Sequence, residues 1–186
     1  PTLMAPLDFK PNDFSEIPYA VYSDEEIYAQ EQKQLFQGNA WHFLAMEIEL
    51  PNTGDYKTMP VGDTQVIVVR DEHSNVNAMV NRCAHRGNLV CIEDRGNLDC
   101  LTCVYHNWTY DLEGNLATIA FERGIQGNGG MAEDFDKSCH ALQRLRVETY
   151  CGMVFGTFSD EVPALPDYFG PEMCGNIQRV LGRDME

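Results

Sequence analysis

The chain of 186 residues is 44% apolar and 23% charged, a composition that suits a globular protein with a substantial core. Its 13 basic and 29 acidic residues give a net charge of −16, which argues against nucleic acid as a partner because phosphate backbones would be repelled. Apolar runs are too short for a membrane helix, and the acidic, proline-containing start PTLMAPLDF is unlike a signal peptide, so we expect a cytoplasmic protein without membrane contact.

Residues 1–39 are predicted to form an N-terminal arm followed by a helix. Residues 1–22 contain several prolines and show no periodicity, which indicates an extended arm. Ser23 and Glu26 have the spacing of a capping box. A helix is therefore expected to begin at Ser23 and to end at Gly38, which would serve as its C-terminal cap.

Residues 40–160 have the pattern of a small β domain. Short apolar runs alternate with turn sequences such as Pro-Asn-Thr-Gly and Val-Gly-Asp, and this pattern predicts a mostly β fold, an antiparallel sandwich or barrel. The strand candidates are WHFLAMEIEL, DYKTMPV, TQVIVVR, NVNAMVNRC, DCLTCVY, NWTYD, LATIAF and ETYCGMVFGTF.

Two further segments are not expected to add strands. Residues 122–137 are rich in glycine, but the glycine spacing matches no common phosphate-binding loop, and we interpret the segment as a surface excursion. Residues 161–186 contain prolines and glycines at short intervals and are predicted to be a connector or a short packed tail.

Two short motifs combine cysteine with histidine. Cys83 and His85 form a C-x-H motif, and after 17 intervening residues Cys103 and His106 form C-x-x-H. Residues two apart in an extended loop project to the same side, so Cys83 and His85 could each bind one of two adjacent iron atoms. We expect the two cysteines to bind one iron and the two histidines the other, with two sulfides between them. The neutral imidazoles would raise the potential of this [2Fe–2S] cluster to about −150 to +300 mV.

Two other kinds of site use the same residue types. A zinc site typically begins with two closely spaced cysteines and groups its histidines, whereas cysteine and histidine alternate here. Cys100 and Cys103 form a C-x-x-C pair, but the helix N-terminus that would lower a thiol pKa is missing from this pattern. The other cysteines of the seven follow no disulfide spacing and are interpreted as core or surface residues.

At these motifs the sequence resembles the Rieske family, and more closely the large (α) subunit of bacterial aromatic-ring-hydroxylating oxygenases of the salicylate, anthranilate and halobenzoate hydroxylase group. The stretches that carry the resemblance are NRCAHRGN, CVYHNWTYDLEGNL and ERGIQGNGGMAEDFD. The resemblance implies a Rieske-type β fold with two cluster-binding loops. Respiratory Rieske proteins join these loops by a disulfide, but Asn88 and Tyr105 stand at those positions here, so the oxygenase type of cluster, with its lower potential, is expected.

The resemblance also implies a second domain that this sequence does not contain. Oxygenase α subunits of this kind bind a mononuclear Fe(II) through two histidines and a carboxylate. No histidine follows His140, so that iron is expected only in a missing domain, and the chain is interpreted as an α subunit truncated before its catalytic domain. The expected partners are a ferredoxin or reductase component, which supplies electrons, and the catalytic domain of a neighbouring subunit, which receives them.

Two functions are left open by the sequence. In the first, the chain is the electron-transfer domain of the terminal component of an aromatic-ring-hydroxylating (di)oxygenase. In the second, it is a free-standing Rieske-type ferredoxin, a carrier without an enzyme of its own. The N-terminal helix and the segments 122–137 and 161–186 favour the first function, because a carrier needs none of them.

Five residues beside the motifs receive supporting roles in this interpretation. Trp108 and Tyr110 are expected to pack under the second loop rather than to carry electrons. Arg82 and Arg86 flank the first loop and would form a local positive spot. Gly87 is expected to permit a tight backbone turn behind the first histidine.

Overall fold

The computed structural model describes residues 15–126 and 128–182, and within them antiparallel strands dominate. The strands are β1 (His42–Met46), β2 (Asp55–Val61), β3 (Thr64–Arg70), β4 (Val76–Val80), β5 (Arg95–Asn97), β6 (Leu101–Thr102), β7 (Trp108–Tyr110), β8 (Leu116–Ile119), β9 (Arg146–Tyr150) and β10 (Met153–Thr157). The helices are α1 (Ala20–Ser23), α2 (Glu25–Glu31), which continues as a π-helical segment (Gln32–Phe36), and α3 (Leu165–Leu181). Short 3₁₀ turns cover Glu47–Glu49 and Lys137–His140. The predicted mostly β class is confirmed.

The N-terminal helix begins one residue later than the capping-box pattern predicts. Asp24, not Ser23, is the N-cap of α2, and its side chain accepts hydrogen bonds from the backbone N–H groups of Glu26 and Ile27 at 2.8 and 3.1 Å. Ser23 closes the short helix α1 instead. Most of the predicted arm over residues 1–22 lies outside the described residues.

A four-stranded sheet in the order β4-β3-β2-β5 separates two apolar clusters. Side chains of β3 alternate between them: Ile67 and Val69 pack into the cluster that contains the motif cysteines, whereas Val66 and Val68 face the cluster around Leu44. These four consecutive side chains are fully buried, which explains why the middle of β3 is a continuous apolar run.

The predicted strand ETYCGMVFGTF is a hairpin rather than one strand. Strands β9 and β10 pair through Tyr150 and Met153, so Cys151 and Gly152 form a two-residue loop. Both loop residues have positive φ, 49° and 76°, as a type I′ turn requires. The pair joins β1 in a three-stranded sheet of the order β1-β10-β9.

The C-terminal segment forms a helix, which its prolines and glycines did not predict. Helix α3 kinks at Gly170, which has a φ of 72°, and Pro171 follows directly. Each half of the helix therefore has a proline in its first turn. Leu165 anchors α3 in a third apolar cluster with Trp41 and Phe155. None of the helices in the described part of the chain is long and apolar enough to span a membrane.

A small sheet in the order β6-β7-β8 completes the fold and presents the second motif. The hairpin of β6 and β7 pairs Leu101 with Tyr110 and carries Cys103 and His106 in its connecting loop. The first motif follows the end of β4 at Val80. Both motifs therefore sit in loops that extend from strands of one shared core.

Acid should weaken the packing of the N-terminal helix against β1. The ring of His42 stacks on Phe36, and its Nε2 is buried without a hydrogen-bond partner in the described structure. Burial lowers the pKa of His42, outweighing hydrogen bonds to backbone that act in the opposite direction. The unfolded chain therefore binds this proton more readily, and the free energy of unfolding should decrease as the pH falls below about 6.5.

We expect this decrease to be less than about 1 kcal/mol, because the ring is only partly buried. Urea unfolding of the wild type between pH 7.5 and 5.5 measures it. His42→Gln should make the dependence shallower in this range, whereas His73→Gln, which changes an exposed histidine of the β3–β4 turn, should leave it intact. Equal pH profiles for the wild type and His42→Gln would refute the assignment.

Candidate metal centre

The fold brings the four predicted ligands to one end of the core. The side chains of Cys83 and Cys103 are buried, with exposed fractions of 3% and 2%, and they lie close enough to interact electrostatically. The rings of His85 and His106 meet nearby, with their centroids 4.6 Å apart and their planes at 75°. His85 is exposed and His106 is half-buried, so two sulfurs face the core while two imidazoles face the surface.

The first loop is a tight turn closed by two backbone hydrogen bonds. The N–H of Cys83 donates to the carbonyl of Asn88, and the N–H of Gly87 donates to the carbonyl of Cys83, both at 2.8 Å. Gly87 has a φ of 75°, in the left-handed region. A Cβ there would stand 2.8 Å from Nε of Arg82, whose guanidinium lies over the glycine. The turn therefore needs glycine for its backbone conformation, whereas the exposed Arg82 side chain could move away from a Cβ.

The second loop repeats the backbone pattern of the first. The N–H of Cys103 donates to the carbonyl of Trp108, and the N–H of Asn107 donates to the carbonyl of Cys103, both at 2.9 Å. Asn107 stands where the first loop has Gly87 and also has a positive φ, 54°. Asparagine is one of the few residues that adopt this conformation readily. Both cysteines thus occupy equivalent positions in two similar turns.

Asn81 fixes the base of the first loop, a role that the sequence did not reveal. Its buried side chain accepts the N–H groups of Val90 and Cys91 at 2.8 and 2.9 Å and donates to the carbonyl of Cys91 at 2.7 Å. These three hydrogen bonds join the residue before the first loop to the segment after it, nine and ten positions later in the chain. The only signal in the sequence is an asparagine two residues before the first motif cysteine.

Tyr110 lies beneath the first loop, although the sequence predicted packing under the second. Its hydroxyl oxygen accepts the N–H of Ala84 at 3.0 Å and lies 3.2 Å from Sγ of Cys83. Burial raises the pKa of Tyr110 far above its ordinary value, so the hydroxyl keeps its proton. Since the oxygen already accepts the amide, the proton is available to the Cys83 sulfur.

The protonation states of the four side chains suit soft metal ligands. Burial raises the pKa of Cys83, and the nearby Cys103 thiol adds to this effect, so a thiolate at this position needs a positive partner such as iron. Burial, followed by the positive charges of His106 and Arg86, lowers the pKa of His85. That favours the neutral imidazole, which is the form that binds metals.

The donor set divides into two thiols and two imidazoles. Across residues 15–126 and 128–182, no three histidine, cysteine or carboxylate side chains are arranged around the position of one metal ion. Two donors for each of two irons, completed by bridging sulfides, need no such group of three. The residues present therefore fit a two-iron cluster with cysteines on its inner side.

The other residues near the motifs are placed as follows. Arg82 and Arg86 are both exposed, and neither makes an ion pair with another described residue. Cys100 is exposed, and its sulfur lies 3.7 Å from the Thr102 hydroxyl. Cys91 is buried, and burial raises the pKa of its thiol to about 12. All seven cysteines are free thiols, so no disulfide joins the two loops.

The segment 122–137 does more than connect strands. Met131 and Phe135 pack against the motif-bearing core, and together with His140 they form one wall of a cleft of about 600 Å³ beside His85 and His106. The sequence interpretation of a surface excursion missed this contact. Widely spaced apolar residues within a glycine-rich stretch are the only hint of it.

Comparison with known proteins gives a consistent result for family and fold. The family described as Rieske [2Fe-2S] domain matches residues 40–127. The chain is 49% identical over 178 residues to the anthranilate 1,2-dioxygenase large subunit of Burkholderia cepacia. That match covers 96% of this chain and 42% of the relative.

Two further similarities extend this result. The terephthalate 1,2-dioxygenase terminal oxygenase component subunit alpha 2 of a Comamonas species is 44% identical, over 92% of this chain and 42% of the relative. The crystal structure of naphthalene 1,2-dioxygenase from a Rhodococcus species, bound to indole, superposes with a TM-score of 0.79 at 33% identity, over 90% of this chain and 37% of that one. The chain thus spans about 40% of the length of these relatives.

Proposed function

We propose that the chain is the electron-transfer part of the terminal component of an aromatic-ring-hydroxylating oxygenase, because the Rieske [2Fe-2S] domain family matches its residues 40–127. In this proposal Cys83, His85, Cys103 and His106 hold the cluster. The observation that carries it is the pair of buried thiols beneath a pair of accessible imidazoles, on two loops of similar backbone geometry. The similarity to oxygenase large subunits supports the wider assignment.

The cluster, when bound, supplies a centre that accepts and releases one electron at a time. The protein's own groups prepare its site. Cys83 and Cys103, both buried, would hold one iron in a water-poor environment, and the Tyr110 hydroxyl, 3.2 Å away, would donate a hydrogen bond to the Cys83 sulfur. His85, which is exposed, and His106, which is half-buried, would hold the second iron and would offer ring edges near the surface for electron transfer.

The partners and the surroundings of the chain are part of the proposal. A ferredoxin or reductase component would deliver electrons, and the catalytic domain of a neighbouring subunit, with a mononuclear Fe(II), would receive them. Residues 1–39 would form the arm and helix, 40–160 the cluster domain and 161–186 the connector to the catalytic domain. A cytoplasmic location agrees with the five cysteines outside the proposed ligand set, which are free thiols, since thiols persist in a reducing compartment. A free-standing ferredoxin is not favoured, because the relatives above are oxygenase subunits.

Metal and sulfide analysis tests the cluster directly. The purified chain should contain two irons and two acid-labile sulfides, and its reduced form should give a rhombic EPR signal with a low average g value. A colourless protein with one zinc would exclude the cluster. Electron transfer is then tested by mixing the reduced chain with an oxidised oxygenase catalytic domain and following reoxidation of the cluster.

Replacing Tyr110 with phenylalanine should lower the reduction potential. The hydroxyl stabilises the extra negative charge of the reduced state through the Cys83 sulfur, 3.2 Å away. If this hydrogen bond favours the reduced state by about 1 kcal/mol, the potential falls by about 40 mV for a one-electron couple. Redox titration monitored by EPR measures the change. Tyr56→Phe, at another buried tyrosine of the same core, is the control and should leave the potential unchanged.

A further inference from the structure

A side chain of the second loop supports a histidine of the first. Trp108 follows His106 by two residues and begins strand β7, yet its indole stacks on the ring of His85. The ring centroids are 4.9 Å apart and the planes differ by only 12°. Trp108 is 5% exposed whereas His85 is exposed, so the indole partner of this stack is the one held by the protein. Such a stack defines the orientation of the imidazole plane.

The indole is itself held by the segment that precedes β9. Phe135 and His140 meet Trp108 edge to face, with centroid distances of 6.0 and 5.7 Å. These two rings stack on each other at 4.5 Å. Asp136 then closes the arrangement, because its carbonyl oxygen lies 2.9 Å from Nδ1 of His140 and its side chain accepts the N–H of Ser138. Trp108 is thus clamped between a motif histidine and a rigid turn.

The two motif histidines are supported in different ways. His106 is covered by Tyr105, whose ring centroid is 3.8 Å away but whose side chain is 57% exposed. His85 is supported by a buried indole with three aromatic neighbours, including His85 itself. The backbone of Trp108 is also fixed, since it pairs with Ile119 of β8. The buried support is the one able to set a ring orientation precisely enough to affect a metal ligand.

We propose that Trp108 is a positioning residue for His85: its indole face sets the plane of the imidazole, and Phe135 and His140 hold the indole in place. This inference rests on the proposed function, because His85 needs a defined plane as an iron ligand. The segment 122–137, together with the turn after it, thereby acts on the cluster through Trp108 without contributing a ligand. Loss of the stack should allow His85 several orientations and make the cluster sites heterogeneous.

The test compares variants of the two tryptophans of the chain in the cluster-loaded protein. Trp108→Leu removes the aromatic face, Trp108→Phe retains a smaller one, and Trp41→Leu alters the other buried tryptophan, which lies in the third apolar cluster. The readouts are iron content, the EPR spectrum and the reduction potential. Trp108→Leu should broaden the EPR lines and shift the potential, Trp108→Phe should restore most of the wild-type spectrum, and Trp41→Leu should change neither.

Each outcome decides for or against the stack. Narrow wild-type EPR lines and an unchanged potential in Trp108→Leu would overturn the proposal, and so would equal changes in Trp108→Leu and Trp108→Phe. If Trp108→Leu does not fold, Phe135→Leu and His140→Ala decide, because they loosen the clamp and should broaden the spectrum in the same direction; wild-type spectra in both would count against it. A wild-type protein without a cluster would be a failure of the proposed function and is recognised before any variant is made.

Discussion

Replacing Cys103 with serine is expected to abolish cluster binding, with iron and sulfide falling to background. Cys103 is 2% exposed and anchors the second loop through hydrogen bonds from its own N–H and to its own carbonyl. The serine variant keeps this backbone pattern and nearly the same volume. It loses the thiolate, however, and a buried hydroxyl is a poor ligand for iron beside soft sulfur donors. The inner iron would be left with one protein ligand.

Cys100→Ser provides the matched control for this loss. Cys100 lies three residues earlier and is exposed, and its thiol is within hydrogen-bond distance of the Thr102 hydroxyl. This variant should retain both irons and both sulfides and show the wild-type visible spectrum. Circular dichroism of both variants checks that the fold is kept. Loss of the cluster in Cys100→Ser with retention in Cys103→Ser would mean that the ligand set is wrong.

The strands that the sequence predicted best are those that depend on interactions between residues close together in the chain. DYKTMPV and TQVIVVR coincide with β2 and β3, because the apolar runs and the Gly62-Asp63 turn between them act within 16 residues. The last predicted strand divides into β9 and β10 at a turn formed by two adjacent residues, Cys151 and Gly152. Cysteine rarely adopts the left-handed conformation, so the sequence did not indicate a turn there.

Other elements depend on contacts that a sequence pattern does not contain. Strand β5 consists of three exposed residues around Gly96 and exists because β2 offers a partner edge. Helix α3 forms despite its internal proline because Leu165 docks into the third cluster, while Gly170 absorbs the kink. In both cases tertiary packing overrides weak local propensity.

The same distinction applies to the candidate site. Cys83, His85, Cys103 and His106 were predicted as ligands from their spacing, and the structure places the two cysteines close together in the core and the two histidine rings in contact with each other. Their neighbours were not found in this way, since the residues that orient the loops come from distant segments. Tyr110 reaches Cys83 across 27 positions of the chain. Ligand spacing reflects the chemistry of the metal, whereas the supporting contacts reflect the fold, which becomes visible only in three dimensions.

Replacing His106 with cysteine is expected to lower the reduction potential substantially while a cluster is retained. His106 is half-buried and lies beside the exposed His85, on the surface side of the buried cysteines. A third thiolate adds negative charge and stabilises the oxidised state. The potential should therefore move from the Rieske range, about −150 to +300 mV, toward the roughly −400 mV of all-cysteine plant-type clusters.

His73→Cys is the control for this change, since it introduces a thiol at an exposed histidine of the β3–β4 turn. Its potential should equal that of the wild type. Redox titration with EPR detection measures both variants, and iron analysis confirms that His106→Cys still holds two irons. An unchanged potential in a fully loaded His106→Cys protein would show that His106 is not a ligand. The potential is expected to fall because the new thiolate would add a negative charge to the iron that the two histidines are proposed to bind.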